Sequence, residues 1–206
     1  MTSKPENIHP IFDRTLKRVD KQKMLNQNSV VIWLTGLSGS GKSTIAIELE
    51  KRLHERGVLT QLLDGDNVRA GINNNLGFKA EDRLENIRRI AEVSKLFVQC
   101  GVVTINSFVS PTNDVRELAK TIIGEKDYFE VYIKASVEAC EKRDVKGLYA
   151  KARRGELPNF TGISAPFDVP LNPSCIIDTE LSSIEVSVEH LLNKILPIIK
   201  EKNGKI

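Results

Sequence analysis

Gly36-Leu37-Ser38-Gly39-Ser40-Gly41-Lys42-Ser43-Thr44 is the stretch that decides how this chain folds. It follows the β-branched run Val30-Val31-Ile32-Trp33-Leu34-Thr35 and precedes a helical pattern at Ile45, Leu49 and Leu53. Strand, glycine-rich loop and helix in that order give the pattern G-x-x-x-x-G-K-[ST] its structural meaning as a phosphate cradle. Glycines let the backbone wrap with N–H groups turned inward, and the helix N-terminus adds positive potential at the same place. Lys42 then reaches the outer phosphates of a nucleoside triphosphate, and the Ser43 hydroxyl is placed to hold Mg²⁺. A plain glycine-rich turn would need neither the lysine nor the paired hydroxyls.

Composition narrows the rest. A chain of 206 residues fits one domain. With 40% hydrophobic and 28% charged residues it reads as an ordinary soluble globular protein. A net charge of +3 is too small to argue for nucleic acid, so anion binding must come from locally placed cations. Cys100, Cys140 and Cys175 are widely spaced and read as reduced thiols, not as a disulfide framework or metal cluster. Residues 1–27 lack the apolar segment of a secretory signal, and no run approaches the about 18 apolar residues of a membrane span. A cytoplasmic enzyme is the expectation.

Further β-rich runs recur at Thr60–Leu63, Val102–Phe108, Phe129–Lys134 and Cys175–Ile177. Helical patterns separate them at Ser43–Arg56, Glu81–Cys100, Val115–Ile123, Ser136–Arg143 and Ile184–Ile199. This alternation predicts an α/β fold of the P-loop nucleoside triphosphate hydrolase type. Its five-stranded parallel sheet should lie between helical layers in a three-layer sandwich, with the ligand crevice at the strands' carboxyl ends. Residues 1–28 form a charged leader with a weak helical signal, expected to pack on the domain formed by 29–206. Arg88-Arg89 is either a solvated helix face or part of a site. The connection 144–173 is long, glycine- and proline-punctuated and basic, the signature of a lid.

The candidate chemistry gathers at strand ends. Leu63-Asp64-Gly65-Asp66-Asn67-Val68-Arg69 brings two carboxylates, an amide and a guanidinium to the edge of the second strand, more than a turn requires. Phosphoryl transfer needs one group to orient an acceptor hydroxyl and take its proton, and another to arrange magnesium. Asp64 and Asp66 are the candidates for those tasks, in either order. Arg69 and Arg83 suit oxyanions. Phe78 is either a core residue or a ring that stacks on a base. Ser110, before Pro111, starts a turn and is also placed to hydrogen-bond an acceptor or to accept a phosphoryl group. In the lid, Arg143, Lys146, Lys151, Arg153 and Arg154 are expected to close over the phosphates.

Taken together, these segments resemble the adenylyl-sulfate kinase (APS kinase) family over nearly the whole chain. The matching segments are Trp33-Leu34-Thr35-Gly36-Leu37-Ser38-Gly39, Leu63 through Arg69, Asn75-Leu76-Gly77-Phe78, Arg83 with Glu85-Asn86-Ile87-Arg88-Arg89, Lys146-Gly147-Leu148-Tyr149 and Phe160-Thr161-Gly162-Ile163. The leader from Asp20-Lys21 through Gln27 matches as well. The phosphate loop alone belongs to a vast superfamily, but Asp-Gly-Asp-Asn-x-x-Arg followed by Lys-Gly-Leu-Tyr is specific. The resemblance implies transfer of the γ-phosphoryl of MgATP to the ribose 3′-hydroxyl of adenosine 5′-phosphosulfate (APS). ADP and 3′-phosphoadenosine 5′-phosphosulfate would be the products.

By the same resemblance, Gly36 through Thr44 form the ATP site, with Lys42 catalytic and Ser43 on the metal. Asp66, Asn67, Arg69, Phe78, Arg83, Asn86, the Val109-Ser110 backbone, Lys146, Asn159 and Phe160 form the APS pocket, with Phe78 and Phe160 sandwiching the adenine. Ser110 matches a serine described in the family as a candidate phosphoserine intermediate. Direct in-line transfer is the favoured route, because two substrates in one crevice need no relay. A homodimer and a separate ATP sulfurylase as supplier of APS are also implied. Two departures stand out: Thr112-Asn113-Asp114-Val115-Arg116 replaces the family's usual tyrosine and arginine-bearing segment, and Ala150 replaces a frequent lysine. The alternatives are a kinase of another nucleoside or small metabolite, which acceptor screening separates, and a catalytically silent nucleotide-binding module, which the intact lysine and carboxylates disfavour.

Overall fold

The computed structural model describes residues 7–200; the leader's first six residues and residues 201–206 lie outside the described part. Five strands make one parallel sheet: β1 (Val31–Thr35), β2 (Thr60–Asp64), β3 (Val103–Ser107), β4 (Tyr128–Lys134) and β5 (Cys175–Asp178), in the order β2-β3-β1-β4-β5. The larger helices are α2 (Lys42–His54), α4 (Ala80–Gln99), α5 (Asn113–Ile123) and α8 (Ile184–Ile199). Shorter ones are α1 (Arg18–Leu25), α3 (Gly65–Ala70), α6 (Val137–Arg143) and α7 (Leu148–Arg153).

β1 is buried along its whole length because both of its faces are covered. Successive side chains point to opposite faces. Ile32 and Leu34 accordingly enter a core with Leu49, Leu53, Leu191 and Ile195 of α2 and α8. Val31 and Trp33 enter another with Ile87, Ile90 and Ala119 of α4 and α5. The sheet is therefore the middle of three layers. A smaller cluster of Leu37, Ala135, Cys140 and Tyr149, with Phe160 and Phe167 against it, lies under the lid.

The chain leaves β1 for β2 past the position of β3, and later crosses from β3 to β4 on the other side of β1. That reversal of direction puts a crevice at the carboxyl ends of β1 and β3, where the phosphate loop begins. Gly36, the first residue of the loop, has φ +154°, and a Cβ there would come within 2.5 Å of the Ile133 carbonyl oxygen. Only glycine lets the loop leave β1 so close to β4.

The sequence pattern misses two short helices, α3 and α7. Residues 65–70 begin a helix because Asp64 caps it, its carboxylate accepting the Asp66 N–H at 3.0 Å. Residues 148–153 read as irregular lid, yet Asp144 accepts the Tyr149 and Ala150 N–H groups, each at 3.0 Å, and starts α7 from a distance. In the leader, Arg18 forks onto Asp127 and donates to Ser29, while the buried Gln27 amide donates to the Leu59 and Gly101 carbonyls. Among the described residues, no helix is long and apolar enough to cross a membrane.

Candidate active site

The phosphate loop is held carbonyl by carbonyl. Lys42 Nζ donates to the Leu37 carbonyl at 2.7 Å and the Tyr149 hydroxyl to Ser38 at 2.8 Å. Arg143 Nη1 donates to Gly39 at 3.3 Å and Thr179 Oγ1 to Ser40 at 2.9 Å. A trans peptide sends each following N–H the opposite way, so fixing Ser38 and Ser40 orients the N–H groups of Gly39 and Gly41. These are the donors a phosphate needs. Of the four gripping residues, sequence reading assigns only Lys42 to the loop. Arg143 appears in it as a lid cation, Tyr149 as part of a motif without a role, and Thr179 not at all, since the short β5 pattern stops before it.

Lys42 is 8% exposed, and burial pushes its ammonium down to about 8, with nearby acidic groups including Asp64 and Asp66 partly opposing the shift. Ser43 Oγ donates to Asp64 Oδ2 at 2.7 Å and lies 3.3 Å from the Ser107 hydroxyl. A hydroxyl, a carboxylate and a second hydroxyl are hard oxygen donors of the kind Mg²⁺ takes beside substrate phosphates. Among the described residues no group of three His, Cys, Asp or Glu could hold a metal alone. The donor set thus fits an ion that arrives with a nucleotide.

Asp66 is exposed and pairs with Lys146 of the lid. Arg69 donates to the Leu76 and Gly77 carbonyls, its guanidinium carbon 4.5 Å from the centre of the Phe78 ring. Arg83 donates to the Phe78 carbonyl at 2.9 Å, and its other nitrogens donate to Thr161 Oγ1 and the Asn159 carbonyl. One arginine thereby joins the loop bearing Phe78 to the loop bearing Phe160. Asn86 is buried and accepts from Asn73 Nδ2 at 2.9 Å. Phe78 remains 62% exposed, far more than a core ring would be.

A single cleft of about 590 Å³ is lined by Ser38, Gly39, Lys42 and Ser43, by Asp64 and Asp66, by Phe78, Arg83 and Asn86, and by Val109, Ser110, Lys146 and Phe160. Thr179, Ser182 and Ile184 after β5 line it too. Asn67 is exposed on α3 and does not line the cleft, and Asn159 contributes its carbonyl to Arg83. Ser110 is 2% exposed at φ +43°, and its Oγ accepts the Trp33 indole N–H at 2.9 Å.

The expectation that all five lid cations face the phosphates is corrected. Only Arg143 and Lys146 reach the cleft, whereas Arg153 pairs with Glu141 at 2.9 Å and Arg154 with Glu156 at 2.6 Å. Helix α7 carries Lys151 and Arg153 on its exposed side, and Arg154, its C-cap, is exposed as well. Arg88 and Arg89 likewise pair with Glu85 and stay outside the cleft.

Known proteins show the same arrangement of sequence and fold. Residues 28–178 match the adenylylsulphate kinase family profile. An adenylyl-sulfate kinase of Phocaeicola vulgatus is 62% identical over 201 residues, covering 98% of both chains. One from Bacteroides thetaiotaomicron is also 62% identical, over 95% of this chain and 98% of its own. Among solved structures, the Mycobacterium tuberculosis APS kinase in complex with AMPPNP and APS superposes with a TM-score of 0.79 at 40% identity, over 82% of this chain and 98% of that one. Profile, relatives and superposition agree: the chain belongs to the adenylylsulphate kinase family.

Proposed function

We propose that this cleft carries out the family's reaction with the following division of labour. The chain is a kinase that transfers the γ-phosphoryl of ATP to the 3′-hydroxyl of APS, the step that completes sulfate activation. The observation that carries the assignment of sites is the continuity of the cleft, in which the phosphate loop and both phenylalanines line one space.

ATP phosphates lie in the loop 36–44, and Lys42 leaves the Leu37 carbonyl to meet them. Ser43 and Asp64, with Ser107 beside them, hold Mg²⁺, which when bound neutralises charge on the phosphate oxygens. APS lies between Phe78 and Phe160, with Arg83 fixing the distance between their loops and Asn86 forming the floor. The acceptor oxygen must stand in line with the γ-phosphoryl, and the carboxylate not committed to the metal takes its proton. Asp66 is that carboxylate: Asp64 is one hydrogen bond from Ser43 at the metal, while Asp66 lines the same cleft and is held by Lys146 of the lid. Arg143 and Lys146 supply positive charge over the transferring group.

Transfer is direct. Ser110 is buried and its oxygen is committed to Trp33, which argues against a phosphoserine relay. APS reaches the enzyme from a separate ATP sulfurylase, and the chain works in the cytoplasm as a homodimer. Exposed Ile8, Ile11, Phe12 and Leu16 in the leader support self-association. A coupled assay of ADP release decides the acceptor. Release should require APS and stay at background with gluconate, shikimate or deoxynucleosides; release without APS, or equal release with another acceptor, would overturn the assignment.

A further inference from the structure

Tyr149 touches both halves of the cleft. It is 1% exposed, and its hydroxyl donates to the Ser38 carbonyl of the phosphate loop at 2.8 Å. Its ring meets Phe160 edge to face, with centroids 5.0 Å apart and planes at 81°. A tyrosine among Leu37, Ala135 and Cys140 needs a partner for its hydroxyl, because a buried polar group left unpaired is costly. The partner here is a peptide whose orientation matters for phosphate binding. Burial also raises the phenol well above its ordinary range, so the hydroxyl remains a donor at any working pH.

The other three grips on the loop come from its own helix, from the end of α6 and from the end of β5. Tyr149 alone among the four belongs to α7, the helix inside the lid, and Asp144 fixes that helix through the N–H groups of Tyr149 and Ala150. A movement of the Ser38 peptide is therefore passed to the lid helix, and through the ring to Phe160.

We propose that Tyr149 is a positioning residue that couples the two nucleotide sites: its hydroxyl sets the Ser38–Gly39 peptide for ATP, and its ring seats Phe160 for the acceptor. This rests on the assignment of APS to the Phe160 part of the cleft. Binding linkage is reciprocal, so whatever factor ATP gains from bound APS, APS gains from bound ATP.

Calorimetry on the full chain tests it, with AMPPNP and APS as probes and with Tyr149→Phe and Phe160→Leu as variants. Tyr149→Phe keeps the ring and removes one hydrogen bond. It should weaken AMPPNP about five- to tenfold and bring the ratio of APS affinities with and without AMPPNP toward one. Phe160→Leu should leave AMPPNP alone unchanged, weaken APS, and also bring that ratio toward one. Wild-type AMPPNP affinity and a wild-type ratio in Tyr149→Phe would overturn the proposal. So would a lowered Tm with both binding constants intact, or a ratio of one in the wild type itself. Failure of APS to support ADP release by the wild type would instead overturn the acceptor assignment, and the AMPPNP titration of Tyr149→Phe still tests the loop contact.

Discussion

Lys42 shows how a single residue reports on its ligand. Burial holds its ammonium at about 8 in the free protein, below the ordinary 10.5. Phosphate oxygens favour the charged form, so ATP binding must raise that value again. Binding at pH 8 should therefore take up a fraction of a proton, visible as a dependence of the calorimetric heat on the buffer's ionisation enthalpy. Identical heats in phosphate and Tris buffers would refute this. The same shift has a signed effect on stability. Between pH 8 and 10.5 the unfolded chain binds more protons at this position than the folded one, so this group's penalty, about 3 kcal/mol when fully expressed, is relieved as pH rises through that window. At Ser110 the prediction separates catalysis from structure. Ser110→Ala leaves the buried Trp33 N–H without its acceptor and should cost about 1–3 kcal/mol of stability. Turnover well below the melting transition should stay within an order of magnitude of wild type. Abolished turnover in a folded Ser110→Ala protein would restore the phosphoserine relay.

At the scale of elements, the lid depends on an acid outside its helix. Asp144→Ala removes the acceptor of two N–H groups of α7 and should cost about 1 kcal/mol, mostly as local opening. Hydrogen exchange should speed up in residues 144–155 while the strands keep their protection; unchanged exchange there would show that packing of Tyr149 alone holds the helix. These short helices also mark where sequence reading stops. The five strands were legible as short apolar, β-branched runs, and five of the helices as apolar residues recurring about every 3.6 positions. Residues 148–153 span less than two turns and are stabilised by Asp144 and by Tyr149 against Ser38, which local periodicity cannot display. Phe78 entered the site only through the family resemblance, whereas the phosphate loop, Asp64 and Asp66 were legible because strand ends and glycine spacing fix where they lie. Thr179 was not, because its partner Ser40 is distant in sequence. The lid cations were misread because counting charges does not show which face of a helix carries them.

Across the whole molecule, Arg116 joins parts that must keep a fixed relation for the cleft to exist. It is 4% exposed on α5, donates to the Ser110 carbonyl at 2.6 Å and to the Asp168 carbonyl at 2.7 Å, and lies 3.2 Å from Glu130 of β4. Asp168 in turn donates its N–H to the Pro111 carbonyl and accepts the Asn113 N–H. The lid's exit, the Ser110 turn and the sheet thus meet at one guanidinium. The Phe167 ring lies 5.7 Å from that guanidinium and closes the cluster. Arg116→Met keeps much of the volume but leaves a buried carboxylate alone, and should cost about 3–5 kcal/mol in urea unfolding. Adding Glu130→Gln should recover part of the loss. Burial already raises the Glu130 carboxyl despite Arg116, and without the arginine it must rise further. An acid whose folded value lies above its unfolded one binds more protons in the folded state, so its contribution falls as pH rises through that value. The deficit of Arg116→Met relative to wild type should therefore shrink between pH 7 and pH 5. An equal deficit at both values, with no rescue by Glu130→Gln, would mean that Arg116 acts only through the carbonyls of Ser110 and Asp168. The buried ion pair would then contribute nothing to the joint between lid and sheet.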